Sequence, residues 1–204
     1  MIITELITIL LVAVYAICLL GYHYGYFLMA ERKGVSTRRN RVNEAIISWF
    51  DVSLEERDYL LIIHQLRNVI MAVTFLATTV VLLMGLLFGL GTFDVADPFM
   101  NGQYPFWLIT ITLIFSFLNL LLCLRHFTRI TFLVRSKPEK LKAISGEDPE
   151  IYLAKLFIKG NREYTMGRRS MLYALVVLTW LLHPYVFLVL TIVMTLVFVV
   201  TYDF

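Results

Sequence analysis

Cysteine and charge are scarce in this chain of 204 residues. Its two cysteines, Cys18 and Cys123, lie inside apolar runs, which excludes a disulfide framework and a thiolate metal site with paired spacing. The redox compartment stays open. Charged residues make up only 16% and leave long stretches empty, while 59% of residues are hydrophobic and the mean hydropathy is +0.77. A soluble enzyme domain is excluded by that balance, and a membrane protein is implied. The net charge of +3 is too small, and too divided between segments, to point to nucleic acid.

What is present is four long apolar runs. A span needs about 20 apolar residues, and Ile2 to Leu28, Val69 to Leu90, Pro105 to Leu124 and Met171 to Val200 qualify. The first run lacks a basic leader and a small-residue cleavage site, so it is expected to be retained as a span. All 18 lysines and arginines fall in two connections, from Arg32 to Arg67 and from Arg125 to Arg169. The connection from Gly91 to Tyr104, with Asp94, Asp97 and Pro98, holds none. Basic residues stay on the cytoplasmic side, so both termini and this short connection are expected outside, in the plasma membrane. The fold class that follows is all-α: an integral membrane four-helix protein, one domain over 1–204, with cytoplasmic loops 29–68 and 125–170.

Those loops carry helical patterns of their own. Thr37 is placed to cap a helix on which Val42, Ala45, Ile46, Trp49 and Phe50 share a face, with Arg38, Arg39 and Arg41 near its start. It reads as an interfacial helix against lipid headgroups, or as a helix packed on the protein itself. Ser53 and Glu56 have capping-box spacing, which predicts an extended second helix over 54–90, roughly 55 Å long. Asp148 and Pro149 open a further amphipathic helix with Tyr152, Leu153, Leu156 and Phe157 on one face, expected to stop at Gly160.

Polar residues inside the apolar runs are the candidate functional groups. Thr112, Ser116, Asn119, Cys123 and His126 recur at separations of 4, 3, 4 and 3 and so share one helix face. Thr74 and Thr78 stack one turn apart in the second run, beside Ala77 and Thr79. Polar groups in hydrocarbon need partners, so these faces belong against other helices, as packing contacts, or against a hydrated pathway. Arg67, Asn68 and Arg125 fall where the second and third runs meet the cytoplasm, as a positive entrance or as residues reaching lipid phosphates. His183 and Pro184 sit inside the fourth run, where the missing N–H predicts a kink or break. His23, His64, His126 and His183 show no metal-binding spacing, and no catalytic residue, metal or cofactor is expected.

Two blocks carry a family resemblance. The segment from His64-Gln65-Leu66-Arg67-Asn68 to Thr78-Thr79 resembles the signature of the domain-of-unknown-function 599 family of integral membrane proteins. Phe157 to Gly160, then Gly167-Arg168-Arg169, Tyr173, Trp180, Pro184 and the ending Tyr202-Asp203-Phe204, is similar to that family's C-terminal half. The resemblance covers nearly the whole chain and implies no activity.

No carboxylate occurs in the middle of any run, which favours anions over cations if anything permeates. Four helices enclose little space. The expected function is therefore an oligomeric channel or passive transporter for small solutes, with membrane lipids and further copies of the chain as partners. A non-transport scaffold or lipid-interacting module is the alternative, and a histidine-based redox enzyme or metalloenzyme a third class.

Overall fold

In hydrocarbon a backbone finds hydrogen-bond partners only in itself, and long apolar runs with almost no interior proline satisfy that demand as helices. The computed structural model describes residues 2–22, 25, 38–89 and 103–200. Among these residues the chain is all-helical, without a strand. The helices are α1 (Ile2–Ala16, continued by a π-helical turn Ile17–Gly21), α2 (Arg38–Glu55), α3 (Tyr59–Gly89), α4 (Gln103–Leu133), α5 (Pro138–Ser145), α6 (Pro149–Val177) and α7 (Pro184–Phe198). Thr37, His23, the connection with Asp94, Asp97 and Pro98, and Tyr202-Asp203-Phe204 lie outside the described residues.

Tyr59–Gly89 and Tyr104–Leu133 are long and apolar enough to cross a membrane; they contain the third expected span and the second up to Gly89, Leu90 lying outside the described residues. Glu5–Gly21 and Pro184–Phe198 are shorter apolar helices. The chain divides into two units, each described by itself: unit one gathers Met1–Arg38, Val80–Ser116 and Arg169–Phe204, and unit two Arg39–Thr79 and Phe117–Arg168.

Unit one corrects the fourth span. The run from Met171 to Val200 is not one helix but two arms that fold back on each other. Leu178–Leu181 tighten into a 3-10 turn, His183 adopts extended backbone (φ −165°, ψ 133°), and Pro184 starts α7 at a position that needs no N–H. The Trp180 and Phe187 rings stack across the bend at 4.8 Å, the Tyr173 hydroxyl lies 2.7 Å from Thr195 Oγ1, and Arg169 Cζ stands 5.3 Å from the Phe198 ring centre. In a straight helix Tyr173 and Thr195 would lie roughly 33 Å apart. Each arm is short: the stretch from Arg169 to Leu181 rises roughly 20 Å and α7 about 22 Å, against about 30 Å of hydrocarbon. The end of α7 therefore returns to the level of Arg169.

The core of this unit is Tyr15, Tyr173, Trp180 and Phe187, all buried. Tyr15 meets Tyr173 edge-on at 5.9 Å and Phe187 at 5.7 Å, so α1 packs on both arms of the hairpin. Around this core the surface is apolar, with Leu6, Ile9, Leu82, Leu86, Val189 and Val200 exposed.

Unit two corrects two boundaries. Ser53 does not open the second helix: it is buried inside α2. Arg57 takes a left-handed conformation (φ 55°), the Asp58 N–H bonds to the Ser53 carbonyl at 3.0 Å, and Asp58 Oδ1 accepts from Leu61 N at 3.1 Å. Asp58 is thus the capping residue, and α3 begins at Tyr59 rather than at 54. Nor does the helix from Pro149 stop at Gly160, since α6 runs through Gly160 and Gly167 to Val177. The reason is contact. A Cβ on Gly160 would stand 2.6 Å from Phe127 Cε1, so glycine lets the buried Phe127 ring press on the α6 backbone, where Phe157 closes over it at 5.2 Å. Phe50 joins the same aromatic cluster, 5.9 Å from Phe157. A short helix that the periodicity did not reveal, α5, ends at Gly146 in the left-handed conformation (φ 72°). Exposed pairs Lys142–Asp148, at 2.8 Å, and Lys155–Glu147 tie α5 to the start of α6 and add little stability.

Gly160→Ala tests the aromatic contact. Overpacking against a buried ring costs about 1–3 kcal/mol and better helix propensity returns about 1 kcal/mol. A net loss of about 1–2 kcal/mol is expected in unfolding of the purified protein; a stabilised variant would refute the tight approach.

Candidate functional site

Hydroxyls in an apolar helix first satisfy themselves on the preceding turn. Thr112 Oγ1 donates to the Leu108 carbonyl at 2.7 Å, so the Tyr15 hydroxyl, 3.0 Å away, donates to Thr112. Thr195 Oγ1 likewise donates to the Thr191 carbonyl at 2.8 Å, leaving Tyr173 as donor in the Tyr173–Thr195 bond. Each phenol thereby finds an acceptor within the core. Ser116 is also buried in unit one, and Asn119 and Cys123, further along the α4 stripe, are buried in unit two. His126 is half-buried there.

The second threonine pair stands differently. Thr74 and Thr78 are exposed, and their hydroxyls donate to the Ile70 and Thr74 carbonyls of their own helix at 2.8 and 3.0 Å. That arrangement suits a surface facing lipid or another chain. Arg67, Asn68 and Arg125 are exposed in unit two. Glu163, half-buried on α6, has its carboxyl pushed above the usual range by burial, against the pull of Arg162 and Lys159. Among the described residues no group of three His, Cys, Asp or Glu could hold a metal ion.

The hairpin of unit one holds two unusual polar features. At its bend, Leu182 and His183 are exposed, while Pro184 is buried. His183 Nδ1 accepts from Tyr185 N at 3.3 Å, capping α7 and leaving Nε2 as the donor of a neutral ring. At its base, Arg169 is only 3% exposed. Its Nη1 donates to the Tyr22 hydroxyl at 3.0 Å, and Cζ lies over the Tyr22 ring at 5.4 Å as well as over Phe198. A guanidinium near two aromatic rings and a phenol oxygen suits arginine better than lysine.

A family model described as "Protein of unknown function, DUF599" matches residues 10–204. The chain belongs to this family. No curated protein and no solved structure matches it.

For this DUF599 chain, sequence reasoning identified the α4 stripe and the break at His183 and Pro184, but missed Tyr15, Tyr22, Tyr173 and Arg169. Tyr173 and Arg169 entered through the family resemblance, with no role attached. One signal was available: a proline thirteen residues into a run of about 30 leaves two arms, each too short to span.

Proposed function

We propose that this DUF599 chain is one subunit of a membrane-embedded homo-oligomer that passes small solutes, anions in preference to cations. In this reading α1, α3 and α4 cross the bilayer, and the hairpin of α6 and α7 enters it from the cytoplasmic side and returns. The observation that carries the proposal is the exposed bend. Non-helical backbone at membrane depth is tolerated only where protein buries it or where it borders water. A single chain leaves Leu182 and His183 uncovered, so neighbouring hairpins around a symmetry axis would cover them and enclose a wet path. The anion preference rests on composition and on one donor. Residues 60–89, 105–124 and 171–200 contain no Asp or Glu, and Nε2 of a neutral His183 offers an N–H.

Flux in liposomes tests it. Purified protein should carry chloride faster than potassium, and His183→Leu should lower chloride flux several-fold while the oligomer survives. Absence of flux above empty liposomes, across several gradients and pH values, would overturn transport. Potassium selectivity indifferent to His183 would overturn the path. A non-transport scaffold that engages lipid is the second reading, favoured by an open groove in unit two.

A further inference from the structure

The end of the apolar run in α4 is marked by a change of surface. Leu118, Leu122, Arg125 and Arg129 are separated by 4, 3 and 4 residues, so they share one helix face, and all four are exposed. That face is hydrocarbon up to Leu122 and cationic from Arg125 onward. A second helix adds to the charge. α6 runs antiparallel to α4, with Gly160 against Phe127 and Tyr164 beside Cys123, which brings Lys159 to the level of Arg129. His126, half-buried one turn before Arg129, registers the result: the charges that act on it most are Lys159, Arg125 and Arg129, all positive.

Little nearby neutralises this cluster. Among the described residues Arg125, Arg129 and Lys159 make no ion pair. Glu147, Asp148 and Glu150, at the start of α6, act on Lys155 and Lys142 instead. Glu163 is the carboxylate that does approach, one turn beyond Lys159. Burial holds its carboxyl above the usual range despite Arg162 and Lys159, so it offsets those charges less than an exposed carboxylate would. Like charges gathered in this way repel, and a bound anion removes that repulsion. Three donors are present: the Arg129 fork, the Lys159 ammonium and the one N–H of a neutral His126 ring. They match the three acceptor oxygens and the nearly double charge of a phosphate monoester. A phosphodiester or a carboxylate brings one charge and two free oxygens, and would leave part of the cluster unmatched.

We propose that His126, Arg129 and Lys159, with Arg125 beside them, form a binding site for a dianionic phosphate group. Two sources share that chemistry: a lipid headgroup, whose chains would lie along Leu122 and Leu118, and a free phosphate. The site lies within unit two, and none of its residues lines the open groove between α2 and α3. It does not depend on solute passage, so a protein without flux can still have it.

The test uses the full chain in a neutral detergent at about pH 7.5, where a monoester carries nearly two charges. The probes are dioctanoyl phosphatidic acid, dioctanoyl phosphatidylglycerol and inorganic phosphate at one ionic strength. Native mass spectrometry should count several-fold more phosphatidic acid than phosphatidylglycerol per chain, or phosphorus NMR should show inorganic phosphate bound. Displacement of phosphatidic acid by inorganic phosphate assigns the site to the free anion; resistance to it assigns the lipid. Arg129→Gln with Lys159→Gln, both surface changes, should lower this binding several-fold, and Lys159→Arg should retain it. Arg41→Gln with Arg67→Gln removes the same charge elsewhere in unit two and should leave binding unchanged. Equal retention of the two lipids with inorganic phosphate unbound would overturn the site. So would equal losses in the two double variants, since overall charge would then explain the binding.

Discussion

Val200→Cys and Lys140→Cys, each in a background without Cys18 and Cys123, should react with a membrane-impermeant maleimide from the same side of the bilayer. Lys140 belongs to α5 in the connection between α4 and α6, and Val200 is exposed just beyond α7. A single fourth span would place these positions on opposite sides. The reversal at His183 brings the end of α7 back to Arg169, and the Tyr173–Thr195 and Trp180–Phe187 contacts exist only in that arrangement. The expected difference is all or none: both positions protected in sealed vesicles of one orientation and both labelled once detergent opens them. Labelling of Val200→Cys alone from the face opposite Lys140→Cys would restore a straight helix and remove the exposed bend on which the transport proposal rests.

The second large effect is expected at Arg169. Arg169→Gln removes the charged hydrogen bond to the Tyr22 hydroxyl and two aromatic contacts in a site that is almost fully buried. A hydrogen bond to a charged group contributes about 1.5–3 kcal/mol and a desolvated cation over a ring about 2 kcal/mol; desolvation of the arginine opposes both. A net loss of about 2–4 kcal/mol is expected in thermal unfolding of the purified protein. Arg169→Lys should not restore it, because an ammonium lacks the planar face that can lie against an aromatic ring. The adjacent Arg168, half-buried with its guanidinium 5.6 Å from the Tyr164 ring, is the internal control. Arg168→Gln should cost about 1 kcal/mol or less. Equal losses at the two positions would mean that membrane-entry charge, and not the aromatic clamp, is what matters.

The helical class and the two long helices were legible because an uncharged run of sufficient length has one backbone solution in lipid. The break at His183 and Pro184 was legible too, since a missing N–H acts locally. Its direction was not, because reversal depends on Trp180 meeting Phe187 and on Tyr173 meeting Thr195, pairings between residues that no periodicity links. Ser53 and Asp58 illustrate a different failure. Both can cap a helix, and the left-handed turn at Arg57 selects Asp58. The two polar stripes show how far spacing reaches: Thr112 with Ser116 and Thr74 with Thr78 each share a helix face, yet the first pair is buried and the second exposed. Period reports a shared face; only the neighbours decide what that face meets.

The bond between Arg169 and Tyr22 joins residues 147 apart, and that between Tyr15 and Thr112 residues 97 apart. Closing loops of that length is slow. In chain order Tyr15 can meet Thr112 once α4 has been made, whereas Tyr22 finds Arg169 only after α6 has followed, so unit one closes in two stages. The second stage joins the two most distant parts of unit one, and until it forms the Tyr22 hydroxyl lacks the guanidinium that it accepts from.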